Sequence, residues 1–540
     1  METEVPIVLG LMTLVMLLSL LAPRLRVPVP TLMVLGGLCI SLIPGLPQVV
    51  LPPNLVFLVF LPPLLYSAAW HLPWHGFKRN IRPILQLAIG LVVLTALCVM
   101  AVMQWVVPEM PWALALALGG ILGPPDAIAA TSVTRGLGVP SRIMTILEGE
   151  SLVNDATGLV IFRLGIAAML TGTFVLIDAV QLFLIAALGG VAVGLVLGWV
   201  VGKAHRLLND VTIETVLTLI TPYAAYLMAE HLHVSGVLAT VTVGIMVCRK
   251  QDEYFSPRMR LQATAVWSTI DFVLNGLAFV LIGLQLPAVL KQLSNDSALY
   301  TTLFATVAVY LTVVLVRLLW IYPSAWIPRA LFKWIRKRDP MPPVKYLVVI
   351  GWCGMRGVVS LAAALAIPEI TNEGTRFPYR GMLLAITFGV VLGTLFIQGL
   401  TLAPLLRLLG LYDAKASSDE HEIQIQLDLV ASAISFLEQK AGEHPDHQSL
   451  IRKLREHFER QGEITASQLT MMSLSAEDAR AFARPSLELF LGAIRAQRKK
   501  LKHLHDEGEI HGEAHQRLLD SLDMDESRFR HVFASQLRKK

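Results

Sequence analysis

Leu147-Glu148-Gly149-Glu150-Ser151-Leu152-Val153-Asn154-Asp155-Ala156 sets ionisable and polar side chains inside a segment that otherwise reads as a membrane-spanning helix. Carboxylates are expensive in hydrocarbon, so one retained there points to function. The spacing adds to the signal. Glu150 and Asn154 are four residues apart, as are Ser151 and Asp155, which places two polar rows side by side on one helix face. An apolar helix has no structural need of such a face. A protein that carries a cation or a proton across a bilayer does.

The rest of the chain fits a bilayer. Of its 540 residues 54% are hydrophobic and only 16% charged, too apolar for an ordinary soluble protein. About thirteen spans are expected, near 5–22, 29–45, 54–71, 83–107, 112–134, 143–170, 175–201, 212–231, 234–248, 262–289, 299–322, 344–367 and 380–406. The first follows an acidic start (Glu2, Glu4) and reads as a retained helix, not a cleaved signal. Loops on one side carry roughly nineteen Lys and Arg, including a dense group from Arg329 to Lys345. The other side carries three: Lys291, Arg376 and Arg380. That bias places the N-terminus outside and the C-terminus in the cytoplasm. The net charge of +5 resides in these loops and does not point to nucleic acid. Cys39, Cys98, Cys248 and Cys353 are scattered, without metal-ligand spacing.

Composition divides the chain into a transmembrane part, 1–410, and a cytoplasmic helical domain, 411–540, rich in Glu, Lys, Arg, His and Gln. His503, His505, His511 and His515 in the latter read as a solvated helix face, since the spacing sets no third metal ligand. Glu214 and Glu230 lie near span ends and are expected to face water. Arg163 is either a counter-charge on the polar face or an interfacial residue, and the Asp271–Asn275 pair reads as structural.

Two spans cannot be continuous helices. Gly119-Gly120-Ile121-Leu122-Gly123-Pro124-Pro125-Asp126 loses donors at consecutive prolines, and Gly351-Trp352-Cys353-Gly354-Met355-Arg356-Gly357 is interrupted by glycine. Paired interruptions in two halves of a membrane protein point to a transporter of inverted repeats, with its site where the broken helices cross. Each break carries a charge, Asp126 and Arg356. Glu150 is the expected partner of Arg356, which leaves Asp155 and Asp126 with the neutral oxygens of Ser151 and Asn154. Such an oxygen-rich cage suits a hard cation. A channel built on the same cage, or an intramembrane enzyme using Ser151, are the rival readings. No His lies near Ser151 in sequence, and a channel would need no proton counterflow.

At these residues the chain resembles the monovalent cation:proton antiporters of the NhaP/NHE type. Glu148–Asp155 is similar to that family's G-E-S-L-x-N-D helix, Gly123–Ala127 to its P-T-D-[PA] break, and Gly354–Leu361 to its G-[LM]-R-G-x-x-S-L segment. Leu61–Tyr66 is similar to its L-P-P motif, and Phe272–Phe279 with Leu281–Gln285 to its tenth helix. The resemblance spans most of 1–410. It implies an all-α polytopic membrane protein with a core domain and a dimerisation domain, hence a homodimer in the lipid bilayer. It implies exchange of Na+, or of K+ or Li+, for H+ in pH and salt homeostasis, without a cofactor. Asp155 would carry the ion and the proton, with Asp126 and Ser151 as further Na+ ligands, and Asn154 would steady Asp155. Glu150 and Arg356 would form a buried ion pair. Pro125 stands where the family has Thr, so only its carbonyl could coordinate, and Ser67 or Ala68 stands where many members carry an acid. Both departures leave the preferred cation open.

Overall fold

The structure, a computed structural model, describes residues 4–25, 27–43, 56–134, 139–172, 174–208, 210–291, 296–370, 374–411, 414–443, 448–473 and 476–506, with short pieces between 514 and 527. The chain divides into two compact units, Met1–Tyr412 and Asp413–Lys540.

The first unit is a helical bundle. Its helices are α1 (Glu4–Leu25), α2 (Val29–Ser41), α3 (Leu61–His71), α4 (Ile81–Val106), α5 (Trp112–Leu122), α6 (Ala127–Thr134), α7 (Ser141–Thr171) and α8 (Leu176–Leu207). There follow α9 (Val211–His231), α10 (Gly236–Arg249), α11 (Pro257–Leu284), α12 (Asp296–Leu331), α13 (Val344–Trp352), α14 (Val358–Leu365) and α15 (Arg380–Leu408). Among the described residues, nine helical segments are long and apolar enough to cross a membrane, with α5 and α6 taken as one, and three shorter apolar helices accompany them. The bundle turns apolar side chains outward as well as inward: α8 exposes Leu184, Ile185, Leu188, Val196 and Trp199. In water such a face would be a liability. In a bilayer it is solvated by lipid, and the chain is a multi-pass membrane protein.

The expected interruptions occur where the residue chemistry puts them. α5 stops at Leu122 ahead of Gly123-Pro124-Pro125, because neither proline can donate to the ladder. α6 restarts at Ala127. α13 stops at Trp352 and α14 begins at Val358, across a stretch with glycine at 354 and 357. At about 1.5 Å per residue, neither α13 nor α14 alone could cross the roughly 30 Å of hydrocarbon. α7, by contrast, runs unbroken for 31 residues and carries the whole polar face.

Close packing elsewhere depends on missing side chains. α2 and α11 lie against each other, and Gly37 and Gly283 sit at the contact. A Cβ at Gly37 would overlap the Val280 carbonyl, and one at Gly283 the Val34 carbonyl. Glu214 departs from expectation. It is 4% exposed, in the first turn of α9, with His205 of α8 3.6 Å away. Asp210 caps this turn by accepting the Thr212 and Ile213 amides, and Glu214 on the same turn packs inward against α8 rather than facing water.

In the second unit, α16 (Ala414–Glu443), α17 (Gln448–Ser473) and α18 (Ala476–Asp506) are long, and α16 packs on α17. The side chain of His505 and all of His511 lie outside the described residues.

Gly283→Val is expected to overpack the α2–α11 contact at a cost of about 1–3 kcal/mol. The check is a thermal midpoint several degrees lower in detergent, with Gly10→Val, which meets open space, as the control.

Candidate functional site

The two breaks touch. The Asp126 amide donates to the Met355 carbonyl at 2.6 Å, and Ser360 Oγ on α14 donates to the Ile121 carbonyl on α5 at 2.9 Å. Gly357 is required at this contact, because a Cβ there would overlap Asp126 Oδ2. α7 lies alongside, with Gly158 allowing Pro124 to approach. The sequence-predicted residues Asp126, Ser151, Asn154 and Asp155 are thereby brought together with Pro125.

Each has a distinct position. Asn154 is fully buried, and its Nδ2 donates to the Pro125 carbonyl at 2.9 Å. That bond ties α7 to the break where a threonine hydroxyl is absent. Among the described residues, Asn154 Oδ1 is buried without a hydrogen-bond partner. Ser151 Oγ accepts the Ala127 amide at 3.3 Å. Asp126 Oδ1 accepts the Ile128 amide at 2.8 Å, so Asp126 caps α6 as an N-terminal Asp does. Asp155 is 7% exposed and lines a small cavity with Gly120, Pro124, Phe162 and Ser360. Among the described residues none donates a hydrogen bond to its carboxylate, while the Asp126 carboxylate is near enough to repel it. A buried anion so placed needs a positive partner from outside the protein.

The expected Glu150–Arg356 pair does not form. Glu150, 1% exposed, is held instead by Arg317 of α12, in a bidentate pair with Nη1–Oε1 at 2.5 Å and Nη2–Oε2 at 2.8 Å. Arg317 Nε also donates to the Ile350 carbonyl near the end of α13, at 3.2 Å, and Gly354 makes room for its side chain. Arg356 serves the other break. Its Nε donates to the Leu122 carbonyl at 2.9 Å, Nη2 to the Gly123 carbonyl at 3.3 Å, and Nη1 to its own neighbour Gly354. Its amide donates to Thr394 Oγ1, presented by a π-turn of α15 at Thr394–Gln398. The physical reason is that the open C-terminal end of α5 is itself a negative site, which a guanidinium can occupy as well as it can a carboxylate.

Among these groups, sequence reasoning missed Arg317. A lone arginine in an apolar span was the available signal. Arg163 faces away from the site and pairs with Glu230 at 3.1 Å, with 59% of its side chain exposed. Asp271 accepts Ser67 Oγ at 2.6 Å, so α11 supplies a carboxylate beside the position that lacks one.

The family model of the transmembrane sodium/hydrogen exchanger matches residues 10–408. The chain belongs to this exchanger family. It is 31% identical to the Na+/H+ exchanger YjcE of Escherichia coli K12, itself uncharacterised, over 95% of this chain and 97% of that protein. It is 34% identical to the sodium, potassium, lithium and rubidium/H+ antiporter of Bacillus subtilis, over 70% of this chain and 57% of that protein. Among solved structures, the sodium proton antiporter MjNhaP1 of Methanocaldococcus jannaschii matches with a TM-score of 0.56 at 18% identity. That match covers 75% of this chain and 98% of that one, and gives the same fold.

The Glu150–Arg317 assignment has a direct test. Arg317→Met is expected to cost about 3–5 kcal/mol by stranding Glu150, and Glu150→Leu/Arg317→Met to recover much of that. Recovery with Arg356→Met in place of Arg317→Met, read by thermal unfolding in detergent, would reverse the assignment.

Proposed function

We propose that this exchanger carries one Na+ against one H+ across a bacterial plasma membrane by alternating access, with Asp155 as the group that holds either. The observation that carries the reading is the buried Asp155 carboxylate, without a donor among the described residues, beside an Asn154 Oδ1 that has no partner among them. A bare anion there is costly to move through hydrocarbon, so the loaded forms, with proton or with cation, are the ones that cross. Competition for one carboxylate then gives exchange without a second coupled site. Na+ would take oxygens from Asp155, Asp126, Ser151 and Asn154, with the Pro125 carbonyl near by. Asn154 is neutral, which leaves one exchanging charge per crossing and makes the cycle electroneutral.

The transmembrane part is proposed to make thirteen crossings, with the broken pairs α5–α6 and α13–α14 each counted as one. The N-terminus lies outside and residues 411–540 in the cytoplasm, as the loop charges favour. A homodimer and a part in pH and salt homeostasis complete the proposal, and no cofactor is required beyond the transported ions. Potassium/proton exchange as the main activity is not favoured: the relatives named above carry sodium in their names, with potassium only alongside it. Lithium and potassium are proposed as weaker competitors at the same carboxylate.

Everted vesicles holding a pH gradient test this. Added Na+ is expected to dissipate the gradient with the native protein and to leave it at background with Asp155→Asn, at equal membrane abundance. Na+-dependent dissipation by Asp155→Asn would refute the role of Asp155. A transport current that follows membrane voltage in proteoliposomes would refute electroneutrality, and cation current without proton counterflow would indicate a channel.

A further inference from the structure

The link between α12 and α13 carries a charge pattern that the exchange reaction does not use. Residues 329–345 contain six cations (Arg329, Lys333, Arg336, Lys337, Arg338 and Lys345) and one acid, Asp339. Asp339 is fully engaged. Arg82 of α4 reaches its Oδ2 at 3.0 Å, Arg142 of α7 its Oδ1 at 2.8 Å, and Arg329 its Oδ2 at 2.5 Å. Three guanidiniums on one carboxylate leave a local surplus of positive charge. Among the described residues, Lys333, Arg336, Lys337 and Arg338 have no acidic partner, and Arg338 rests 5.7 Å from the Trp334 ring.

The same segment exposes large apolar side chains: Leu331 (70%), Phe332 (57%) and Trp334 (68%). It begins where the membrane span Leu299–Leu331 ends, so the short helix Lys333–Arg338 lies at the level of the lipid headgroups. Aromatic and aliphatic side chains interleaved with unpaired cations match that zone, where acyl chains meet phosphates.

We propose that Leu331–Arg338 is a binding surface for anionic phospholipid headgroups, with Lys333, Arg336, Lys337 and Arg338 on the phosphates and Phe332 and Trp334 inserted at the acyl boundary. Neutral zwitterionic headgroups satisfy the insertion but not the charge, so the surface discriminates by headgroup charge. Asp339 gives the surface a route to the transport helix. It closes the short helix and is bonded to Arg142, the second residue of α7. The inference does not depend on which ion is exchanged.

Quenching of Trp334 by brominated lipid tests it in the full-length protein reconstituted into bilayers. The Trp334 signal is the difference between the native protein and Trp334→Phe. Brominated phosphatidylglycerol at low mole fraction is expected to quench that signal about fivefold more effectively than brominated phosphatidylcholine. The preference is expected to vanish in Lys333→Gln/Arg336→Gln/Lys337→Gln/Arg338→Gln and to shrink in 1 M salt. Equal quenching by the two lipids in the native protein, or a preference unchanged by high salt, would overturn the proposal. The salt series uses only the native protein and Trp334→Phe, so it decides the matter even if the quadruple variant inserts poorly.

Discussion

A helix that stops within hydrocarbon leaves its last carbonyls without partners, and here two arginines take them. Each carbonyl left bare would cost several kcal/mol, with no water at hand to satisfy it. Arg356 closes the end of α5 through Leu122 and Gly123, and Arg317 reaches the end of α13 through Ile350. The other ends of the breaks point the opposite way. α6 starts at Asp126, and α14 starts at Gly357, against which Asp126 Oδ2 is packed. The positive ends of two half-helices thus meet one carboxylate, and the negative ends meet guanidiniums. The crossing is an electrostatic arrangement first, and the proposed ion site is what remains open within it.

That arrangement separates carboxylates that look alike in sequence. Glu150, Asp126 and Asp155 are all buried or half-buried in the same region. Glu150 is committed to Arg317 through both oxygens, and Asp126 is committed through Oδ1 to the start of α6. Asp155 has no such commitment. The freedom of one carboxylate depends on the others being held, so residues that never touch an ion still shape the site.

The breaks, the polar face of α7 and the gathering of Asp126, Ser151, Asn154 and Asp155 beside them were legible in the sequence because they rest on local chemistry. Proline cannot donate, glycine does not hold a helix, and a carboxylate in an apolar run stands out. The partner of Glu150 was not legible, and the reason is specific. The span containing Arg317 was expected to end near residue 322, which places Arg317 close to an interface where an arginine can snorkel. α12 in fact runs on to Leu331, and Arg317 sits deep and 1% exposed. Arg356, in turn, was matched to a carboxylate because a side chain's charge is visible in sequence and a helix end's is not. Glu214 followed the same logic: its burial depends on packing against His205 of α8, a tertiary contact that a position near a span end does not reveal.

The charges at the crossing bear on stoichiometry. Arg317 and Arg356 contribute two positive charges, and Glu150, Asp126 and Asp155, when ionised, three negative ones. The sum is one negative charge, and Asn154 adds none. One proton or one monovalent cation brings the cluster to neutrality, whereas two would leave it positive in a medium that penalises either sign. Had Asn154 been an acid, the same cluster would carry two negative charges, which two protons neutralise and a single Na+ does not, so exchange of one Na+ against two protons would carry net charge across the membrane. In the proposed cycle electroneutrality therefore rests on one amide. That amide is also held by its own structural task, since Asn154 Nδ2 binds the Pro125 carbonyl at the break. An aspartate at 154 could not donate that bond while ionised, so a change of stoichiometry here would also loosen the contact between α7 and the break.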